Sequence, residues 1–403
     1  MVTRMDGATI KELTSGINQR GLRNHNERLI LSVLQRFGPV AGSDLARMTK
    51  LSAQTVSNIL RKLEGDELVI RSAPVRGRVG KPSIPMQLNP DGAFAVGMKL
   101  GRRSAEVVLL DLCGSVRELR SISFAHPEPA EIFDFLKGAI ESFCESLPEK
   151  LQSRVCGIGF ATPFEFWTWL DQANIDETSK QNWKQIDIAN EIATFSALPI
   201  SILNDATAAC RAEHLYGRGK EFDDYAYFFV GSFLGGGIVL DESVYVGKNG
   251  NAGALGSMRS TGPQGESRQL VDVASLHLLF TRLEEVGISA TVLKDSPDDW
   301  SKWARYVDPW LGQTAQELAK ASLSACSVID FDAILIDGAL PAHVREELAE
   351  RTHRYILNQD TRGLVAPRVE GGTIGRNARA MGAAAAPLFS QFFFDKTTGF
   401  SET

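Results

Sequence analysis

The sequence predicts an α/β protein in two parts: a small three-helix head with a two-stranded hairpin, then a body of two related α/β lobes separated by a cleft. Three observations carry this. Residues 1–91 hold 14 Lys/Arg against 8 Asp/Glu, whereas residues 92–403 hold 29 against 41, so a basic head precedes an acidic body. Apolar residues between 29 and 63 recur at helical spacing and then give way to two short strand-like runs. Further on, a strand-strand-strand-helix-strand order occurs and a similar second half follows it. A chain of 403 residues holds two or three domains of about 150 residues. The expected limits are an N-terminal extension over 1–23, the head over 24–91, a first lobe over 92–205 plus 377–403, and a second lobe over 206–376.

Composition removes several classes of protein. With 43% hydrophobic and 23% charged residues, the chain is neither disordered nor fibrous. No run of about 18 uncharged apolar residues suggests a membrane span, and the first residues lack a signal-peptide core. The five cysteines, Cys113, Cys144, Cys156, Cys210 and Cys326, form no C-x-x-C pair and read as reduced, mostly buried thiols of a cytoplasmic protein.

In the head, Leu29, Ile30, Val33, Leu34 and Phe37 form one helix face, ended by Gly38-Pro39. Ser43 can cap a short helix over 44–48, and Thr49-Lys50-Leu51 supplies a turn. Ser52 caps a third helix to about Glu64, with Gly65 just beyond it. There Val56, Ile59, Leu60 and Leu63 must face a core, which turns Gln54, Ser57, Asn58 and Arg61 outward. These four are short or fork-shaped hydrogen-bonding side chains, suited to base edges and phosphates. Residues 68–71 and 85–88 read as paired strands, and between them Arg76, Arg78 and Lys81 alternate with Gly77 and Gly80. Cations on a slender hairpin can neutralise phosphates at close approach. Three helices and a basic hairpin make a winged helix-turn-helix, so double-stranded operator DNA is the expected partner.

In the body, strands are expected over 94–100, 105–111 and 116–124, with a turn at Leu112-Cys113-Gly114-Ser115. A helix follows with Ile132, Phe133, Leu136, Ile140 and Phe143 on one face, then a strand over 155–160, a helix over 186–195, a strand over 200–203 and a helix over 206–216. The second group comprises strands over 225–230, 237–240, 243–246 and 334–336.

The stretches GIGFATP (157–163), LNDATAA (203–209), VGSFLGGGIVLDESVYVGKNGNAGALGSM (230–258) and LIDGAL (335–340) resemble the ROK family, and with the winged helix they resemble its repressor branch, which includes xylose and N-acetylglucosamine repressors. The resemblance spans about residues 24–390 and implies a two-lobed actin-like ATPase fold. The family also contains sugar kinases, and this chain departs from them at the chemical positions. Where the kinases carry an Asp-x-Gly-Gly-Thr turn for ATP phosphates and Mg²⁺, the chain reads Lys99-Leu100-Gly101-Arg102-Arg103, with a cation in place of the carboxylate. The second phosphate turn reads Gly231-Ser232-Phe233-Leu234-Gly235-Gly236-Gly237, and Phe233 crowds the approach to backbone amides. The positions of the family's zinc ligands are Ser257, Gly262, Gln264 and Gln269, none of them a thiol or imidazole. Ala254 replaces a sugar-contacting glutamate.

Asn204 and Asp205 remain as ligand-binding candidates at a strand end. In the kinases the matching aspartate is the catalytic base; here Asp205 serves equally well as a helix N-cap. Trp167 and Trp169 suit stacking on a sugar face, or core or oligomer packing. The resulting expectation is a cytoplasmic, DNA-binding transcription regulator, a repressor, acting as a homodimer or homotetramer. It would have no catalytic residue, metal or cofactor, and a carbohydrate effector would bind in its cleft. Two readings compete with it: an active sugar kinase with a DNA-binding head, and a regulator whose body only oligomerises.

Overall fold

A computed structural model describes residues 19–74, 84–169, 177–262 and 265–394. The chain divides into two units, Met1–Gly92 with Phe389–Thr403, and Ala93–Leu388.

The head contains α1 (Gln19–Phe37), α2 (Gly42–Thr49), α3 (Ala53–Gly65), β1 (Val69–Arg71) and β2 (Met86–Leu88). Its core gathers the apolar stripes of the three helices, with Ile30, Leu34, Leu45, Val56 and Leu63 buried. Phe37, the last position of the α1 stripe, is instead exposed. Among the described residues α1 already covers Gln19 to Arg23, which were expected in an N-terminal extension. Ser43 is not the cap of α2: the helix already includes Gly42, and the extended Ala41 precedes it. Val40 fixes that entrance by exchanging two backbone hydrogen bonds with Met86, 2.9 Å each. Lys50 adopts the left-handed conformation that ends α2, and α3 runs through Gly65 to an Asp66 cap. β1 and β2 pair antiparallel with Ile70 opposite Gln87.

Residues 377–403 were expected in the first lobe, but from Phe389 onward they group with the head. Phe393 is buried, the Phe394 N–H donates to Ser32 Oγ at 2.8 Å, and its ring meets His25 edge-on.

The first lobe of the body runs β3 (Phe94–Leu100), β4 (Ser104–Asp111), β5 (Val116–Ser123), α4 (Pro129–Ser146), α5 (Glu149–Gln152), β6 (Val155–Thr162), α6 (Glu177–Gln185), α7 (Ile188–Ala193) and β7 (Ile200–Asn204), then crosses over through α8 (Asp205–Tyr216). The second runs β8 (Tyr225–Val230), β9 (Leu234–Leu240), β10 (Ser243–Val244), β11 (Arg259–Thr261), β12 (Ser267–Gln269), α9 (Leu276–Glu285), α10 (Thr291–Asp295), α11 (Ala304–Cys326), β13 (Ala333–Gly338), α12 (Ala342–Leu357) and β14 (Arg368–Gly371), and returns through α13 (Ala378–Phe392). The two main sheets have orders β5-β4-β3-β6-β7 and β10-β9-β8-β13-β14. In each, the first three strands form an antiparallel meander and the last two lie parallel beside the first. The lobes are therefore two copies of one topology.

Crossover helices α8 and α13 lie against each other and the sheets with almost no side chain between. A Cβ on Gly382 would collide with the Ala208 carbonyl oxygen, and one on Gly97 or Gly159 with the Ala380 or Ala383 carbonyl oxygen. The glycines Gly235 and Gly237, expected in a phosphate turn, are interior to β9. They face α8, where a Cβ would stand 2.7 Å from Ala206 Cβ and 2.6 Å from Cys210 Cβ. Their role is close helix–strand packing. The five cysteines form no disulfide, and the mostly buried reading needs correction: Cys210 and Cys326 are buried, Cys144 and Cys156 partly so, and Cys113 is exposed in the Asp111–Ser115 turn. No described helix is long and apolar enough to cross a membrane.

Candidate functional site

In the head, Ser52 caps α3 by accepting the Thr55 N–H at 3.1 Å. Val56, Ile59, Leu60 and Leu63 are buried, and Gln54, Ser57, Asn58 and Arg61 are all exposed on the other side. Gln54 Nε2 donates to Asn58 Oδ1 at 3.2 Å, which aligns two amides along one row. Neighbouring cations are already engaged, Lys62 with Glu27 at 2.7 Å and Arg71 with Glu64 at 2.7 Å. Arg61 has no carboxylate within 4.0 Å among the described residues, so its charge faces solvent. Arg76, Arg78 and Lys81 lie outside the described residues.

In the body, the sheet end formed by Lys99, Thr162 and Asn204 lies where the first lobe meets the second. Asn204, not Asp205, caps α8: its Oδ1 accepts the N–H groups of Ala206 at 2.9 Å and Thr207 at 3.2 Å. Its Nδ2 donates across the lobes to Asn251 Oδ1 at 3.2 Å. The residue before the first helical turn has the extended backbone a cap requires, and Asn204 has it. That leaves the Asp205 carboxylate free to pair with Arg379, Nη1 to Oδ2 at 3.2 Å, while the Arg379 guanidinium lies over the Phe229 ring.

Lys99 is nearly enclosed; its Nζ donates to Ser104 Oγ at 3.2 Å and stands 3.6 Å from Glu106. Its ammonium is pushed down to about 8, chiefly by burial and further by Arg379, against the pull of Glu106 and Asp205. Arg102 is pushed down to about 10, again chiefly by burial, with Asp205 opposing. Its guanidinium lies on the Phe233 ring, 3.1 Å from the centroid, so the two loops that hold phosphates in the kinases are stacked on each other. The second loop is further committed: Leu234 N–H donates to Ser275 Oγ at 2.8 Å, and Leu276 and His277 N–H groups, leading into α9, donate to the Gly231 and Ser232 carbonyls. Trp167 packs against the first-lobe core, and the Trp169 side chain lies outside the described residues.

The zinc-loop positions form a hairpin of β11 and β12 in which Glu266 pairs with Arg268 at 2.7 Å. Hydroxyl and amide side chains at Ser257 and Gln269, and none at Gly262, do not fit a zinc ion; Gln264 lies outside the described residues.

Arg379 and Asn251 complete the interlobe site and were not singled out from sequence; each is distant in the chain from the residue it holds. Two buried carboxylates were also missed. Glu213 accepts the N–H groups of Thr373 and Ile374, which lead into α13. Asp337 accepts Tyr227 Oη–H at 3.0 Å, Arg345 Nη1–H at 3.1 Å and the Gly375 N–H at 3.1 Å. Burial and the Glu213 charge push the Asp337 carboxyl up to about 6.

The chain thus joins a helix-turn-helix head to two lobes of one duplicated sheet topology, an actin-like ATPase fold. Residues 95–267 match the ROK family model and residues 23–78 the MarR family model. It is 27% identical over 375 residues to the uncharacterized protein y4fQ of Sinorhizobium fredii, covering 91% of this chain and 92% of that one. With the xylose repressor of Bacillus subtilis it shares 25% identity over 244 residues, 60% of this chain and 62% of the repressor. The crystal structure of a ROK family transcriptional regulator, a homologue of the E. coli MLC protein, superposes with TM-score 0.63 at 20% identity, covering 92% of this chain and 98% of that one. A ROK family glucokinase from Streptomyces griseus, solved with glucose and AMPPNP, covers 73% of this chain and 98% of its own at TM-score 0.56 and 20% identity. The fold is common to regulators and kinases alike.

Proposed function

We propose that this protein is a cytoplasmic transcription regulator, a repressor, whose head binds operator DNA and whose body responds to a sugar-like effector without catalysing a reaction. The observation that carries this reading is the outward face of α3. Gln54, Ser57, Asn58 and Arg61 project from a helix whose other side is locked into the core, and Arg61 meets no carboxylate among the described residues. Such a row suits base edges and phosphates in a major groove. Arg76, Arg78 and Lys81 would add phosphate contacts from the hairpin. Binding as a homodimer or homotetramer would present two or more such heads to a repeated site.

In the body, Asn204 and Asp205 stand at the interlobe sheet end as the groups to meet effector hydroxyls. A kinase reading draws support from the shared fold, but three features of the site oppose it. Lys99 stands at the carboxylate position, Arg102 and Phe233 close the phosphate loops on each other, and Asp205 is tied to Arg379. The decisive experiment measures anisotropy of labelled DNA from the chain's own promoter region. Arg61→Ala is expected to weaken specific binding by about 1–3 kcal/mol. An Arg61→Ala variant that binds specific and random DNA each as tightly as wild type would remove Arg61 from DNA recognition.

A further inference from the structure

We propose that Asn58 reads an adenine in the major groove of the operator, accepting from the N6 amino group and donating to N7, and that Gln54 holds the Asn58 amide in the orientation this needs. The proposal rests on the reading of α3 as the DNA-binding helix and adds the base that its central side chain selects.

The four outward side chains of α3 differ in what they can tell apart. In the major groove adenine places an acceptor, N7, beside a donor, the N6 amino group, whereas guanine places two acceptors there. A reader of adenine must therefore offer a donor and an acceptor side by side. Arg61 carries donors only, which suits guanine or a phosphate. Ser57 has a single hydroxyl, which distinguishes bases poorly. Only the carboxamides of Gln54 and Asn58 match the adenine edge.

The two amides are not equivalent. They lie four residues apart, neighbours on one face of the helix, and Gln54 Nε2 donates to Asn58 Oδ1 at 3.2 Å. Gln54 thereby commits a donor to its neighbour, while Asn58 keeps one lone pair on Oδ1 and both hydrogens on Nδ2. That Nδ2 donates to no protein group among the described residues. The bond also chooses between the two orientations of the Asn58 amide, since turning it over would set Nδ2 against Gln54 Nε2, donor against donor. An amide held in this way has less freedom to lose on meeting a base than one that rotates. Other polar groups of the helix are occupied elsewhere: the Ser52 and Thr55 hydroxyls meet each other at 2.8 Å, and Lys62 turns to Glu27. On the core side, buried Val56, Ile59, Leu60 and Leu63 fix the rotation of α3, so the amide row stays outward.

The full chain is used to select binding sites from a random double-stranded DNA library, and affinities for the selected duplex are then measured by fluorescence anisotropy. The selected site is expected to contain an adenine whose replacement by any other base weakens binding about five- to 150-fold. Replacement of the same adenine by 7-deazaadenine, which lacks the N7 acceptor, is expected to weaken it about fivefold. Asn58→Asp leaves only acceptors at the helix face, so selection with this variant is expected to exchange that adenine for cytosine, whose N4 amino group donates, and to keep the rest of the site. Gln54→Ala is expected to keep adenine as the preferred base and to reduce its margin over the others severalfold, with affinity for random DNA and its salt dependence unchanged. Both positions are exposed, and circular dichroism verifies that the variants are folded. A site that Asn58→Asp selects unaltered overturns the proposal and leaves the DNA-binding reading standing. A full adenine margin in Gln54→Ala overturns the positioning role of Gln54. Failure of the wild-type chain to enrich any site overturns sequence-specific binding itself, and the proposal with it.

Discussion

Replacing Lys99 by Met tests whether the fold carries its buried cation at a loss of stability. The ammonium titrates at about 8 instead of 10.5, and at about 1.36 kcal/mol per unit the charged form is disfavoured by on the order of 3 kcal/mol. That figure already includes the attraction of Glu106 and Asp205. Met keeps an unbranched stem of similar length and forfeits the hydrogen bond to Ser104 Oγ, about 1 kcal/mol. Lys99→Met is therefore expected to be more stable than wild type by about 1–3 kcal/mol at pH 7. The pH dependence follows from the direction of the shift. Because the folded value lies below the unfolded one, the unfolded chain binds more protons between about 8 and 10.5, and wild-type stability gains from Lys99 as pH rises through that window. The variant lacks this gain, so the difference between the proteins narrows from pH 8 and closes above 10.5. Urea unfolding followed by tryptophan fluorescence reads this out, since all six tryptophans belong to the body. A variant less stable than wild type at pH 7, or a difference that ignores pH, would show that the partners of Lys99 outweigh its burial.

Gly382→Ala places a methyl against the Ala208 carbonyl oxygen, backbone on backbone, so α8 and α13 must part; a loss of about 1–3 kcal/mol or more is expected in urea unfolding, opposite in sign to the usual gain of alanine in a helix. Asn204→Ala should cost about 1 kcal/mol through the lost cap, whereas Asp205→Asn leaves the cap intact, strands Arg379 and abolishes the effector response; thermal melts beside ligand titration separate the two. Alanine at Asn58 should weaken specific DNA binding by about 1–3 kcal/mol, while Arg76→Ala or Arg78→Ala should weaken binding to every sequence and lower the salt slope by about one. Purified protein is expected to hold no stoichiometric zinc and to leave ATP intact in the presence of hexoses; about one zinc per chain by elemental analysis would reveal a donor set other than Ser257, Gly262, Gln264 and Gln269.

Local pattern was enough for much of the architecture. The α3 stripe of Val56, Ile59, Leu60 and Leu63 states which side is core, because helical periodicity is a property of neighbours within two turns. The apolar runs of β3, β6 and β8 announce strands buried on both faces in the same way. Loss of the zinc and nucleotide side chains is likewise visible residue by residue. Which residue acts as a cap was less legible: Asn204 and Asp205 are both good capping types, and backbone geometry at the helix start chooses between them. The glycines of β9 look like a phosphate loop in sequence, since a short run of Gly carries no mark of whether an anion or a helix comes close.

Tertiary structure alone decided the character of the interlobe site. Asp205 and Arg379 lie 174 positions apart, and Asn204 and Asn251 lie 47 apart. No periodicity spans such separations, because they are set by where two crossover helices and two sheets place their ends. Arg379 is an unremarkable cation in the sequence. Only folding brings Arg379 to Asp205, sets Lys99 beside Glu106 and withdraws Lys99 from water, where holding a charge in a weakly polarisable interior lowers its ammonium.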